Sequence, residues 1–208
     1  MAEPESRYAR QVRLPFLGED GQDRLGRAAA AVVGLGALGC VAADLLARAG
    51  VGRLVLIDRD VVEWSNLQRQ SLYCEADAHR SRAKAEAAGE RLRAVNSAIR
   101  IEAQAADLTA QSLPALLAGL DLAVDGSDNF PTRYLLNDWA VREDRSFVYA
   151  GVVSSYGMAG AVTPGGPCLR CTWPEPPAPD DEPTCRSAGV LGPAVAAVAA
   201  LAAAEAIK

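Results

Sequence analysis

A single histidine, His79, serves the whole chain of 208 residues. Enzymes that abstract a proton or activate a serine usually place a histidine for the task. His79 stands in the polar, exposed-looking segment Asp77-Ala78-His79-Arg80, so its scarcity counts against a serine–histidine hydrolase and against a dehydrogenase with a histidine base. Basic charge is also short: 21 Lys and Arg against 26 Asp and Glu, a net charge of −5. A face that grips nucleic acid needs the opposite balance. No apolar run approaches the ~20 residues that cross a bilayer, and the longest, Pro193 to Ala204, is alanine-rich. The N-terminus MAEPESRYARQ is charged and lacks the apolar stretch of a secretory signal. The five cysteines, Cys40, Cys74, Cys168, Cys171 and Cys185, are therefore expected to be buried, metal-binding or reactive rather than paired as disulfides. These absences leave a soluble cytoplasmic protein with no nucleic-acid or membrane partner.

What is present is a core-forming chain, 50% hydrophobic by composition, of a length that suits one large α/β domain. Ala28–Val33 is an apolar run that ends at a glycine turn, which predicts a buried parallel strand. Leu38–Ala49 predicts a helix stopped by Gly50. Leu54–Ile57 predicts a second strand, Arg80–Val95 a long surface helix, Ile99–Ala105 a strand, and Leu113–Leu120 a short helix. Leu122–Val124, Pro131–Arg142 and Phe147–Ala150 predict strand, helix and strand, and Val152–Val162 one or two strands. This alternation predicts a Rossmann-like, doubly wound, mostly parallel sheet preceded by an N-terminal helical arm. The expected organisation is a single domain over 1–208. It comprises an arm at 1–27, a nucleotide-binding core at 28–171, a mobile crossover loop at 172–188 and a C-terminal helix at 189–208. Pro164–Pro183 shows no helical period and predicts an extended loop. Gly192-Pro193 opens the last helix, proline suiting a first turn.

Gly34, Gly36 and Gly39 form a GxGxxG turn between strand and helix, where loop amides and a helix N-terminus face a phosphate. Asp58 lies at the end of the next strand, where a ribose hydroxyl is bound in such folds. That pair alone says only that a nucleotide binds. The segment after it, through Asp60, Ser65, Asn66, Gln68, Arg69 and Gln70, adds amides and a cation that a nicotinamide site does not need and a triphosphate site does. Arg69 and Lys84 are the candidate phosphate cations; taken alone, Lys84 reads equally as a solvated helix lysine among Arg80, Arg82 and Glu86. Asp128 and Asn129 follow a third strand at the carboxyl edge of the sheet, where open α/β sheets bind ligands. Asp128 suits magnesium, while Asn129 on its own reads better as the cap of a turn.

These segments, in order along the chain, resemble the ThiF/MoeB/HesA adenylyltransferases, bacterial relatives of ubiquitin-activating enzymes. The matching residues are Arg7 to Gln11, the glycine turn, Ile57 to Asp60, Ser65 to Gln70, Lys84, Asp125 to Asn129 with Thr132-Arg133, Cys168 to Cys171, and Thr184-Cys185 leading to Ala188-Gly189-Val190. The resemblance implies an adenylyltransferase that joins the C-terminal Gly-Gly carboxylate of a ubiquitin-like sulfur-carrier protein to AMP, releasing pyrophosphate, for molybdopterin, thiamine or related pathways. It implies ATP binding by Gly34, Gly36, Ala37, Gly39, Asp58, Asp60, Ser65, Asn66, Leu67, Gln68, Arg69, Lys84, Asp128 and Asn129, with magnesium at Asp128. It implies a homodimer in which Arg10 reaches the phosphates of the neighbouring subunit, and a sulfurtransferase or cysteine desulfurase as a further partner. A nicotinamide-dependent oxidoreductase with the same turn, a non-catalytic partner subunit and a tRNA-modifying relative are the competing readings. Arg69, Lys84 and the missing base oppose the first, and the retained cations oppose the second. The acidic charge opposes the third.

Cys168-x-x-Cys171 is half of a tetrahedral zinc site. The resembling family completes it with a second CxxC near the C-terminus, which this chain does not contain. Either the chain is truncated or the site is incomplete; the end of the chain inside a helix favours truncation. Cys185 has two open readings. It is a nucleophile that a proline-rich loop delivers to an acyl adenylate, forming a thioester or persulfide, or it is a small buried residue at the loop's end. Asp181 and Glu182 beside it would raise rather than lower its pKa.

Overall fold

The computed structural model describes residues 6–177 and 188–208. Six strands form one sheet in the order β3-β2-β1-β4-β5-β6. They are β1 (Ala29–Val33), β2 (Arg53–Ile57), β3 (Arg100–Gln104), β4 (Leu122–Asp125), β5 (Ser146–Val153) and β6 (Tyr156–Val162). The first five run parallel, and β6 turns back antiparallel to β5 at the edge. The strand order reverses between β2 and β4 on either side of β1, a switch point that opens a crevice above the carboxyl ends of those strands.

The central strand β1, AAAVV, is buried throughout, because helices cover both faces of a parallel sheet. On one face pack α2 (Ala37–Ala49), α4 (Lys84–Val95) and the last helix, α8 (Gly192–Ile207), around Val32, Leu46, Leu56 and Leu92. On the other pack α5 (Leu113–Leu116) and α6 (Phe130–Glu143), around Val33, Ile57, Leu136 and Phe147. Alternate residues of one strand thus feed opposite cores, as period-two geometry requires. Gly50 ends α2 in the left-handed region with φ 88°, and Pro193 stands in the first turn of α8. No helix among the described residues is long and apolar enough to cross a membrane.

Three expectations need correction. The helix predicted over Arg80–Val95 starts at Lys84 and is preceded by a separate short helix, α3 (Glu75–His79). Between them Val61 bridges Ala83 in antiparallel fashion, and the Val62 N–H donates to the Arg82 carbonyl at 2.8 Å. This long-range pairing holds residues 82–83 extended against their helical composition. As a surface helix, α4 buries one face, with Ala85, Ala88 and Leu92 at its centre, and turns Glu86, Glu90, Arg91 and Arg93 to solvent. The segment predicted as extended over Pro164–Pro183 contains a helical turn, α7 (Leu169–Thr172). Tertiary contacts hold it: the Leu169 N–H donates to Asn137 Oδ1 at 2.8 Å, and Arg170 pairs with both oxygens of Asp138. Leu113–Leu120 is helical only to Leu116.

The N-terminal arm packs at the amino edge of the sheet. Gln11 Nε2 donates to the Ala49 carbonyl at 2.9 Å, and the Tyr8 hydroxyl accepts from Asn96 Nδ2 at 2.9 Å. Both contacts lie at the C-terminal ends of α2 and α4. The helix that completes the arm, α1 (Gly18–Arg27), leads directly into β1.

Candidate active site

Two glycine turns meet back to back above the carboxyl ends of β1 and β4. Gly34 adopts φ 83°, which favours glycine, and a Cβ there would lie 2.8 Å from the Ser127 nitrogen. A Cβ on Gly126 would lie 2.3 Å from the Gly34 carbonyl oxygen, and one on Gly39 only 1.8 Å from the same oxygen. Packing therefore demands these three glycines. Gly36 is different: its φ of −74° suits any residue, and the nearest atom to a Cβ would be 3.8 Å away, the Gly126 carbonyl oxygen. Space lies over Gly36 at the N-terminus of the 13-residue α2, where backbone N–H groups lack intrahelical partners. A phosphate fits that cradle by charge and by room.

Asp58 fixes the turn from the side of β2. Its Oδ2 accepts the Leu35 N–H at 2.6 Å and its Oδ1 the Asp60 N–H at 2.7 Å. Burial lifts the Asp58 carboxyl above its ordinary value, while the Asp60 and Leu35 N–H groups and the nearby Lys84 charge draw it down. Each oxygen keeps a lone pair for a further donor. Below the turn, the Leu35 carbonyl accepts from the Tyr73 hydroxyl at 2.9 Å and from Cys40 Sγ at 3.2 Å. Burial pushes the Cys40 thiol up to about 12, so Cys40 is a packed thiol and not a nucleophile.

The short pairing of residues 61–62 with 82–83 carries Lys84 to this edge. Its backbone N–H donates to the Asp60 carbonyl at 2.9 Å, and its Nζ lies 3.1 Å from Asp60 Oδ2. The solvated-helix alternative for Lys84 is wrong: the residue is 7% exposed. It also occupies the first residue of α4, where the helix dipole disfavours a cation. A charge kept in a place that costs stability points to use.

Ser65 and Asn66 lie in a 3-10 turn, Trp64–Asn66. Asn66 is buried, its Oδ1 accepting the Glu63 N–H at 3.1 Å. Arg69 Nη1 donates to the Ser65 carbonyl at 2.8 Å, which curls the guanidinium back over the turn. Leu67 packs on the core and Gln68 is exposed. Gly192, where α8 begins, sits against the Gln68 carbonyl and the Arg69 Cβ.

On the β4 side, Asp128 is exposed and in no ion pair among the described residues; an oxygen donor of this kind suits magnesium. Asn129 Oδ1 accepts the Thr132 N–H at 2.9 Å, capping α6. Asn129→Ala is expected to lower stability by about 1 kcal/mol, readable as a small fall in the thermal midpoint.

The structure thus gathers Gly34, Gly36, Ala37, Gly39, Asp58, Asp60 and Lys84 with the Asp128 turn. Arg10 is not among them. It belongs to the arm at the C-terminal end of α2, while the glycine turn is at the N-terminal end, about 20 Å away along a helix of that length. Cys185, with Asp181 and Glu182, lies outside the described residues, as does most of the crossover loop expected at 172–188. Cys168, the N-cap of α7, and Cys171 within it stand Sγ to Sγ 3.8 Å apart. Burial opposes ionisation of Cys168, yet the N–H groups of Cys171 and Arg170 bring its thiol below the ordinary value. The pair supplies two ligands of the four that a structural zinc needs. Among the described residues no group of three or more His, Cys, Asp or Glu could hold a metal ion.

Tyr73 escaped the sequence reading, and Gln70 and Arg133 appeared there only within longer segments, without a role of their own. Tyr73 supports the glycine turn. Gln70 is 4% exposed beside Gly36, with an Oε1 that has no hydrogen-bond partner among the described residues. Arg133 is buried against Asp125, Nε to Oδ2 2.6 Å. An acid at the end of an apolar strand is the one signal that called for such a cation.

A family model described as the ThiF family matches residues 8–208. The chain is 43% identical over 203 residues to the sulfur carrier protein ThiS adenylyltransferase of Bacillus subtilis, a match covering 97% of this chain and 60% of that protein. It is 44% identical to the sulfur carrier protein adenylyltransferase of Thermus thermophilus, covering 97% of this chain and 76% of that one. Against the SAMP-activating enzyme E1 of Haloferax volcanii the identity is 42%, with 97% and 74% covered. Among solved structures, E. coli MccB superposes with a TM-score of 0.84 at 26% identity over all of this chain and 63% of its own. MccB with ATP gives 0.82 at 26% identity, covering 98% of this chain and 63% of that one.

Proposed function

Since the chain belongs to the ThiF family, we propose that it adenylates the C-terminal Gly-Gly carboxylate of a ubiquitin-like sulfur-carrier protein. The chain spans 60% of the length of the Bacillus subtilis relative, so this reading extends from relatives longer than itself. The observation that carries it is the crevice: an open cradle over Gly36 at the start of α2, beside a turn fixed by Asp58, with the Asp60–Lys84 pair on one side and the Gly126-Ser127 turn that leads to Asp128 on the other. The names of the relatives, sulfur carrier protein adenylyltransferases, agree with it.

A terminal carboxylate has a pKa of ~3.5 and is ionised at neutral pH, so it needs no general base. Its oxygen forms a bond to the α-phosphorus of ATP as the bond from that phosphorus to the bridging oxygen of the leaving pyrophosphate breaks. Alignment and neutralisation of developing charge are then the main requirements. The α2 amides over Gly36 receive phosphate oxygens, Asp58 accepts from a ribose hydroxyl, and Arg69 and Lys84 face the phosphates. Asp128 would hold magnesium, which supplies further neutralisation when bound. Asn129, occupied as a cap, lends its backbone rather than its side chain. Arg10, remote from the crevice of its own chain, would serve a second copy in a homodimer. Two thiols do not complete a zinc site, and no step is assigned to them.

The test is ATP–pyrophosphate exchange with labelled pyrophosphate, magnesium and candidate carriers ending in Gly-Gly. Exchange that requires the carrier is expected, and Cys185→Ala should leave it largely intact, because the adenylate forms before a thiol acts. A folded dimer that exchanges with no carrier would overturn the proposal.

A further inference from the structure

Asp125 ends β4 with a carboxylate that is almost wholly buried (1% exposed). Its Oδ2 accepts from Arg133 Nε at 2.6 Å. Its Oδ1 accepts from the Ser127 backbone N–H at 2.9 Å and from the Ser127 hydroxyl. Arg133 continues the connection, Nη2 donating to the Ala150 carbonyl of β5 at 2.6 Å, with its guanidinium 5.2 Å from the Phe130 ring centre. One buried ion pair therefore ties together the end of β4, the turn that carries Asp128, the first helical turns of α6 and the neighbouring strand β5. Through the contact of Gly126 and Ser127 with Gly34 and Gly39 it also fixes the height of the glycine turn.

Stability alone is a weak reason to keep such a pair, because desolvation of two charges consumes most of their attraction and apolar replacements often do as well. Geometry is a better reason. The bonds of Asp125 go to the turn residue next to Asp128, and a guanidinium fork bridging the end of β4 and the interior of β5 is rigid in a way that apolar packing is not. We infer that Arg133 and Asp125 are positioning residues for adenylation, holding Asp128 and the glycine turn at the separation that the nucleotide phosphates and their cation require. This rests on the function proposed above and adds residues that act through others, without touching substrate.

Arg133→Lys keeps the charge but cannot bridge Asp125 and the Ala150 carbonyl together; Arg133→Met keeps bulk and removes the charge; Asp125→Asn keeps shape. Leu117→Val, a core change at the opposite edge of the sheet, is the control for lost stability. Each full-length protein is measured for thermal midpoint, carrier-dependent exchange and calorimetric binding of ATP over a magnesium series. A displaced turn should lower the exchange kcat by about 10²-fold in Arg133→Met, the cost of misplacing a reacting group by about 1 Å. The KM for the carrier should stay within about twofold. The magnesium needed for half-maximal ATP binding should rise several-fold in Arg133→Met and Asp125→Asn, and less in Arg133→Lys, while Leu117→Val leaves it unchanged. Unchanged kcat and magnesium dependence in a folded Arg133→Lys or Asp125→Asn protein would overturn the inference, whatever the midpoints do. Because ATP binding is read without carrier, an unaltered protein that exchanges with no carrier sinks the proposed function and leaves this result separately legible.

Discussion

Lys84→Met lowers carrier-dependent ATP–pyrophosphate exchange by about 10²-fold or more, the scale on which one preorganised charge stabilises a transition state. The thermal midpoint barely moves. The two expectations come from one geometry. The Lys84 side chain is 9% exposed and its Nζ lies 3.1 Å from Asp60, so among the described residues it pairs with one carboxylate, which an arriving phosphate would share. Methionine keeps the straight chain that packs there and removes the charge. Stability is spared because three small terms offset one another. The cation no longer opposes the α4 dipole, its burial no longer costs solvation, and the lost partner, Asp60, is an exposed side chain whose pairing is worth at most about 1 kcal/mol. Arg69→Ala should show a comparable loss of exchange, since its side chain is held by a single bond to the Ser65 carbonyl. Measured side by side with the midpoint, a Lys84→Met protein that exchanges normally removes this lysine from the chemistry.

Gly39→Ala and Gly36→Ala should separate fold from binding. A methyl on Gly39 points at the Gly34 carbonyl oxygen from 1.8 Å, and neither partner is a flexible side-chain tip. Backbone must move, with α2 lifted from β1. Overpacking of this kind costs about 3 kcal/mol, which lowers the midpoint of a domain of this size by roughly 10 °C. Among the described residues Gly36→Ala meets nothing closer than 3.8 Å, and Gly36 is the N-cap of α2, where alanine is only modestly poorer than glycine. Its midpoint should hold or fall slightly while ATP affinity falls about tenfold or more, because the methyl takes room over the cradle that a phosphate needs. Thermal melts and calorimetric ATP titrations check both. Equal affinity in Gly36→Ala would mean that the ligand does not approach this turn.

Much of the architecture was legible because its signals are local. Apolar runs of three to six residues closed by glycine or aspartate mark β1, β2 and β4. Gly50 and the Gly192-Pro193 pair punctuate α2 and α8 as backbone chemistry dictates. The polar cluster from Ser65 to Gln70 announced a site, and the ordered motifs gave the family. What stayed hidden depends on partners distant in the chain. Arg-Ser-Arg-Ala at 80–83 has a helical composition, yet pairing with residues 61–62 holds part of it extended and so decides where α4 starts and where Lys84 points. Arg133 looks like any helix-surface arginine until β4 and β5 close around it. The α7 turn has no helical period of its own and forms because Asn137 and Asp138 receive it. Arg10 reads from its motif as serving a neighbouring subunit, and its place at the C-terminal end of α2, away from its own crevice, is compatible with that reading.

The mutual contact of the Gly34 and Gly126 turns also sets the order in which the molecule can become competent. Neither turn is complete without the other, and they are brought together by the β1–β4 pairing, whose flanking bond joins Ala29 to Asp121 across 92 residues. Closing so long a loop is slow and comes late, after local helices and hairpins have formed. A nascent chain that has made β1, α2 and β2 therefore has a glycine-rich loop and no nucleotide site. Binding competence should arrive in one step with β4 docking, and amide protection of Leu35, Gly126 and Ser127 should be lost together in native-state exchange. On the proposed function, ATP would bridge both turns and act as a latch on the most remote strand pairing in the sheet.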